Sequence, residues 1–195
     1  MSKAAATRLT ILQKAFELVY ANGYQATSID DILIKTAVTK GAFFYHFKNK
    51  DDMGLAMIQE VMHPAMYAAM VLPLTKAENP VQEIYKMMKG LLVENPHLIP
   101  KYGCPAINLI EEMSPLNSTF NKALSKLATQ WQEAIELTIK NGKATGKIRK
   151  DVNATQTAFF IMSGYGGIRN LGKLYGKDSY TVYLKELKRY LASLQ

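Results

Sequence analysis

Apolar residues recur at three- and four-residue steps along almost the whole chain. Between Thr7 and Tyr20 they are Leu9, Leu12, Phe16 and Val19, with Arg8, Gln13, Lys14 and Glu17 among them. That period marks one face of an α-helix, and Asn22-Gly23 supplies a stop. Ser28 can cap a second helix, with Asp30 and Asp31 in the first turn where the helix dipole favours negative charge, and Ile29, Ile32 and Leu33 on the buried side. Thr39 can cap a third, short helix to about Tyr45. Lys48-Asn49-Lys50 then forms a polar break before a fourth helix, about Asp51 to Leu72.

Beyond that point helical spacing persists, punctuated by Pro64, Pro73, Asn79-Pro80, Pro96, Pro100, Pro105, Ser114-Pro115 and Asn141-Gly142. Asn79-Pro80 and Ser114-Pro115 both read as a cap followed by proline in the first helical turn. No run shows the period-two alternation of a strand. The expected fold is all-α: an N-terminal three-helix helix-turn-helix domain, residues 1–50, and a larger C-terminal helical domain, residues 51–195.

Composition and charge narrow the function. The chain has 195 residues, and 48% hydrophobic content is ample for a core. No window approaches the roughly 20 apolar residues of a membrane span, so no membrane partner is expected. The single cysteine, Cys104, leaves no intrachain disulfide, and the N-terminus has no secretion pattern, which together point to the cytoplasm. The net charge is +8, and residues 1–50 hold seven Lys/Arg against three Asp/Glu. A quarter of the chain thus carries half of the excess, which favours a nucleic-acid partner near the N-terminus.

The stretch Thr36 to Met53, TAVTKGAFFYHFKNKDDM, places rings beside positive charge. A helix-turn-helix reader needs a second helix that is narrow at its N-terminal end and carries donors for phosphates and base edges. Gly41 costs about 1 kcal/mol relative to Ala inside a helix, but allows a close approach to a DNA backbone. Lys40 can neutralise a phosphate, Thr39, Tyr45 and His46 offer donors, and Lys48 and Lys50 add charge. Phe43 and Phe47, four apart, can anchor the helix from its other face.

From Thr27 to Met53 the sequence resembles the N-terminal DNA-binding domain of the tetracycline-repressor (TetR) family. The resemblance lies in Thr36-Ala37-Val38-Thr39-Lys40-Gly41, then Phe43-Phe44-Tyr45-His46-Phe47, then Lys50-Asp51-Asp52-Met53, with Phe16, Gly23 and Thr27 at the family's separations. It implies a homodimeric repressor, released by a small-molecule effector, whose recognition helices enter successive major grooves of double-stranded operator DNA. DNA contacts are then expected at Thr27, Ser28, Thr39, Lys40, Gly41, Tyr45, His46, Lys48 and Lys50. Two positions depart from the family's pattern: Ala37 replaces the usual turn glycine, and Phe44 stands where a tyrosine commonly contacts phosphate.

Further on, Gly103-Cys104 followed by Asn108-Leu109 resembles the Gly-Cys-x-x-x-Asn-Leu stretch of an electrophile-sensing branch of the same family. Cys104 and Asn108 are therefore candidate sensor residues, with Lys173 as a nearby cation that would favour the thiolate. Met87, Met88 and Trp131 are candidates for an adaptable apolar effector pocket, with Met57, Met113, Met162 and Tyr85 as further possibilities. The last two helical segments combine Ser163, Gly164, Gly166 and Gly167 with Phe159, Phe160, Ile168 and Leu171, a mixture suited to a four-helix interface between two chains.

Other chemistry finds little support. Gly167 to Leu174 nearly matches a phosphate-binding loop, but Leu174 replaces the hydroxyl residue that would hold magnesium. His46, His63 and His97 have no metal-binding spacing, and no nucleophile motif occurs. No enzyme activity, metal or cofactor is expected. The alternative is a basic helical protein that coats DNA without sequence choice.

Overall fold

Local capping chemistry starts each of the first four helices. In the computed structural model, which describes residues 2–195, Ser2 accepts a hydrogen bond from the Ala5 N–H and opens α1, Lys3–Asn22. Ser28 opens α2, Ile29–Thr36, through a reciprocal capping box with Asp31. Thr39 Oγ1 accepts from the Ala42 N–H at 3.2 Å and opens α3, Lys40–His46. Asn49 Oδ1 accepts from the Asp52 N–H at 2.8 Å and opens α4, Lys50–Thr75. Each cap satisfies backbone donors that the first helical turn leaves without partners.

Five further α-helices follow among the described residues: α5, Pro80–Lys89, extended by a π-helical turn Gly90–Glu94; α6, Pro105–Met113, preceded by a 3-10 turn Pro100–Tyr102; α7, Ser118–Ala144; α8, Ala154–Tyr175; and α9, Asp178–Ala192. No strand occurs among the described residues, as the all-α expectation requires. Asn79 caps α5 with proline at the first helical position, as expected. Ser114-Pro115 does not open a helix. The Ser114 N–H closes α6 on the Ile110 carbonyl, and Asn117 Oδ1 caps α7 by accepting from the Thr119 and Phe120 N–H groups.

Pro64 and Pro73 do not interrupt α4, which runs three residues past the expected end. A proline ring collides with the carbonyl four residues back and cannot donate. Here a π-helical turn precedes each one, Ile58–Met62 before Pro64 and Tyr67–Val71 before Pro73, with the His63 and Leu72 N–H groups bonding five residues back to Ile58 and Tyr67. The wider turns relieve the collision without ending the helix. The joined helix reaches 26 residues with a mean hydropathy of 1.2 over its most apolar window, so, contrary to expectation, one helix is long and apolar enough to span a membrane by length and composition alone. Met53, Met57, Ile58, Met62, Met70 and Leu74 of this helix are core residues.

The chain forms two compact units. One comprises residues 1–65 with 105–126, the other 66–104 with 127–195. The first therefore extends beyond the segment ending at Lys50, because α6 and the start of α7 pack into it. Its core gathers Ile11, Leu12, Ile32, Phe43, Phe47, Met53 and Phe120. Gly54 sits where a Cβ would come within 2.7 Å of the Tyr24 ring and 2.8 Å of Phe120, so this helix crossing admits no side chain.

In the second unit, α8 and α9 approach over glycines. A Cβ on Gly164 would lie 2.4 Å from the Tyr183 hydroxyl, and one on Gly172 would lie 2.3 Å from that of Tyr180. These two glycines serve packing inside one chain. Burial pushes the Tyr183 phenol up to about 12. Ser163 and Gly167 differ: both are exposed, and a Cβ on Gly167 would meet nothing within 4 Å. They lie on a stripe with Phe160, Leu171 and Leu174, at helical spacing and all exposed.

Candidate functional site

The short helix α3 divides into a buried and an open side. Phe43 and Phe47 are completely or almost completely buried, their ring centroids 5.4 Å apart, and fasten the helix to the first unit's core. Thr39, Lys40, Gly41, Phe44 and Tyr45 are exposed, and Lys48 follows them at the surface. A Cβ on Gly41 would meet nothing within 4 Å, and the residue has an ordinary helical conformation. Neither packing nor backbone geometry within the chain accounts for glycine at this place.

Ala37, between α2 and α3, is in the left-handed region with φ 52°, and no other described non-glycine residue has positive φ. This is the turn conformation that glycine adopts freely; for alanine it costs on the order of 1 kcal/mol. The departure from the family pattern thus keeps the turn and accepts its strain.

Two expected DNA-contact residues point elsewhere. Thr27 is buried, and its hydroxyl donates to the Gly23 carbonyl at 2.8 Å, closing the turn between α1 and α2. Lys50 is half-buried, donates to the Gln25 carbonyl at 3.3 Å and stands 4.5 Å over the Tyr24 ring. Burial pushes the Lys50 ammonium below its ordinary value, against the opposing pull of Asp51 and Glu112. Its ammonium thus braces the segment before α2. Ser28 is exposed, and its hydroxyl and backbone N–H both donate to Asp31, holding that carboxyl below the usual carboxylate range. His46 is half-buried with its ring edge-on to Tyr45.

The bracing around α3 involves residues that periodicity alone assigns to solvent. Arg8 donates to the His46 carbonyl at 3.0 Å, pairs with Glu60 at 2.6 Å, and places its guanidinium 4.5 Å over the Phe47 ring. It ties the C-terminal end of α3 to both α1 and α4. Glu112, on α6, accepts from the Tyr24 and Gln25 N–H groups at 2.8 and 2.7 Å, one on each carboxylate oxygen. Gly23 precedes them at φ 94°, a backbone conformation that L side chains rarely adopt, and this conformation rather than lack of space calls for glycine there. The Tyr24 hydroxyl donates to Asp51 at 2.7 Å, and burial raises its pKa. Asn117 reaches the same carboxylate at 3.2 Å. No local signal reveals these pairs, because Glu112 stands 88 residues from Tyr24.

The expected effector residues are divided between the two units. Cys104, Met87, Met88 and Trp131 are buried, whereas Asn108 belongs to the first unit and is half-buried. Lys173 is exposed, and Arg169 reaches the backbone beside Cys104. Arg169 is completely buried, donates to the Leu98 and Gly103 carbonyls, and lies 5.4 Å from the Tyr180 ring. Trp131 donates its indole N–H to the Met87 sulfur at 3.3 Å and meets Tyr165 edge-on at 5.3 Å. Met87 lines a cavity of about 420 Å³ in the second unit, between α4 and α5. Among the described residues no cluster of His, Cys, Asp and Glu is placed to hold a metal.

Comparison with known proteins agrees with this arrangement. A family model described as "Bacterial regulatory proteins, tetR family" matches residues 11–57, and another described as "Tetracyclin repressor-like, C-terminal domain" matches residues 80–186, just over half of the chain. An uncharacterised HTH-type transcriptional regulator of Lactococcus lactis is 34% identical over 131 residues, 66% of this chain and 66% of its own. The HTH-type transcriptional repressor DhaR of a Mycobacterium species is 25% identical over 167 residues, 82% of this chain and 79% of its own. A TetR transcriptional regulator from Chloroflexus aurantiacus superposes with a TM-score of 0.88 at 25% identity, covering 98% of this chain and 97% of that one.

Proposed function

We propose, from the premise that this chain belongs to the TetR family of DNA-binding transcriptional regulators, that it grips a near-palindromic operator through the α3 helices of a homodimer and releases it when a small molecule occupies the second unit. The observation that carries this reading is the open N-terminal half of α3, where Gly41 has no partner to accommodate and Thr39, Lys40 and Tyr45 face outward. Ser28, His46 and Lys48 border the same face. Lys40 and Lys48 would meet phosphates and set register, while hydroxyl and ring donors at Thr39, Tyr45 and His46 supply base-edge or further backbone contacts. Phe44 has no hydroxyl, so neighbouring Tyr45 would take over that phosphate contact. The protein performs no catalysis in this reading and works in the cytoplasm.

Effector release follows from differential affinity: a ligand that favours a conformation poorly fitted to DNA draws the population toward it. Covalent sensing at Cys104 is the less favoured signal, since the residue is only 1% exposed and reactivity requires an accessible thiolate. Dimerisation is assigned to the exposed α8 stripe, where Ser163 and Gly167 permit close helix crossing between Phe160, Leu171 and Leu174. Leu171→Glu should convert the dimer to monomer in sedimentation equilibrium and reduce operator affinity in parallel. A dimer of unchanged mass would remove α8 from the interface.

The reading is tested by sequencing the genomic fragments that the protein retains, then titrating one of them against random duplex DNA. Lys40→Ala should weaken binding to both duplexes and lower the salt slope by about one unit, as loss of one phosphate contact requires. Wild-type binding that is equally tight on both duplexes would instead identify a nonspecific DNA-coating protein.

A further inference from the structure

We infer that the cavity between α4 and α5 is the effector site, and that its ligand is a compact, uncharged, largely apolar molecule carrying a hydrogen-bond acceptor. The inference rests on the repressor reading only in calling that ligand an effector. The volume of about 420 Å³ lies within the range of small-molecule sites. Ala69 and Pro73 of α4 form one wall, and Met87, Gly90 and Leu91 form the other.

Gly90 is the residue the rest of the chain does not explain. Its conformation is ordinary right-handed helix, and a Cβ there would meet nothing within 4 Å. A glycine inside a helix costs about 1 kcal/mol relative to alanine. Here its bare backbone faces the cavity, where a side chain would occupy ligand space. The two walls also carry the π-helical turns Tyr67–Val71 and Gly90–Glu94. Such turns widen the backbone locally and recur at functional sites.

The charges at the mouth are matched. Lys86 pairs with Glu83 at 2.7 Å, and Glu94 pairs with Lys89 at 2.5 Å, so a chain of net charge +8 presents a locally balanced rim. An ion gains no net attraction there, and an uncharged ligand leaves both pairs intact. Asn95 also lines the cavity, and its side-chain oxygen already accepts from the His97 N–H at 2.9 Å. Its amide nitrogen remains to donate to a ligand acceptor.

The test uses the full-length protein and the uncharged fluorophore N-phenyl-1-naphthylamine. Trp131, the chain's single tryptophan, bonds to the wall residue Met87 and supplies an internal reporter. The wild type should bind one probe per chain with a change in Trp131 emission. Gly90→Leu and, from the opposite wall, Ala69→Leu should each weaken binding at least about tenfold while keeping the helical circular dichroism and operator affinity. Probe should release operator from the wild type and not from Gly90→Leu. Equal probe affinity in whichever filled variants fold, no probe uptake by the wild type, or binding without a Trp131 response would overturn the site. A wild type that takes up probe as stated yet binds no DNA would sink the repressor reading and leave the cavity assignment supported.

Discussion

Gly41→Leu should fold at least as stably as the wild type and lose about 100-fold in operator affinity. The two effects separate because the open space around this residue is outside the protein, not within its core. A Cβ there touches nothing, and leucine is a better helix former than glycine by nearly 1 kcal/mol, so the denaturation midpoint should hold or rise. On DNA the same side chain would stand between α3 and the backbone it approaches, and a loss of about 3 kcal/mol corresponds to that change in affinity. Gly41→Ala should show a smaller loss with the same gain in stability. Operator titrations of the folded variants decide the matter: wild-type affinity in both would mean that α3 does not approach DNA by this end.

Glu112→Ala should cost about 2–4 kcal/mol of stability. It removes an acceptor that takes two backbone N–H groups at once, and hydrogen bonds to a charged group are worth about 1.5–3 kcal/mol each, less where solvent reaches them. Glu112→Gln is not a conservative rescue, because an amide offers one oxygen and turns a donor toward the second N–H. Urea denaturation supplies the total, and hydrogen exchange supplies the location. The amides of Tyr24 and Gln25 should lose protection before those of the α1 core. An unchanged midpoint with unchanged protection at those two amides would refute the contact.

What could be seen in the sequence was what depends on near neighbours. Ser28, Thr39 and Asn79 cap helices through groups three residues away, so residue type and spacing were enough. Phe43 and Phe47 were legible as anchors because their four-residue separation puts them on one face. The inward bond of Lys50 was not legible because its partner, the Gln25 carbonyl, is 25 residues away, and that of Thr27 because the Gly23 carbonyl, though only four residues back, comes into reach through the shape of the α1–α2 turn. Arg8 looked like an ordinary polar-face residue, since nothing nearby announces Glu60 or the His46 carbonyl. Lys173 was named as a cation that would favour the Cys104 thiolate, and nothing in the sequence singled out the buried Arg169, one turn earlier, which takes the carbonyls of Leu98 and Gly103.

The prolines of α4 have a geometric consequence. A π-helical turn holds about one residue more than an α-turn, and one extra residue rotates everything after it by about 100° about the helix axis. Two such turns lie between Met53 and Leu74, so the side of the rod that carries apolar groups is reset twice along its length. One unbroken helix can thereby contribute Met53, Met57 and Met62 to the first core and Met70 and Leu74 to the second. Deleting a single residue within Ile58–Met62 would restore the ordinary winding there and turn the downstream half of the helix away from the groups it now faces.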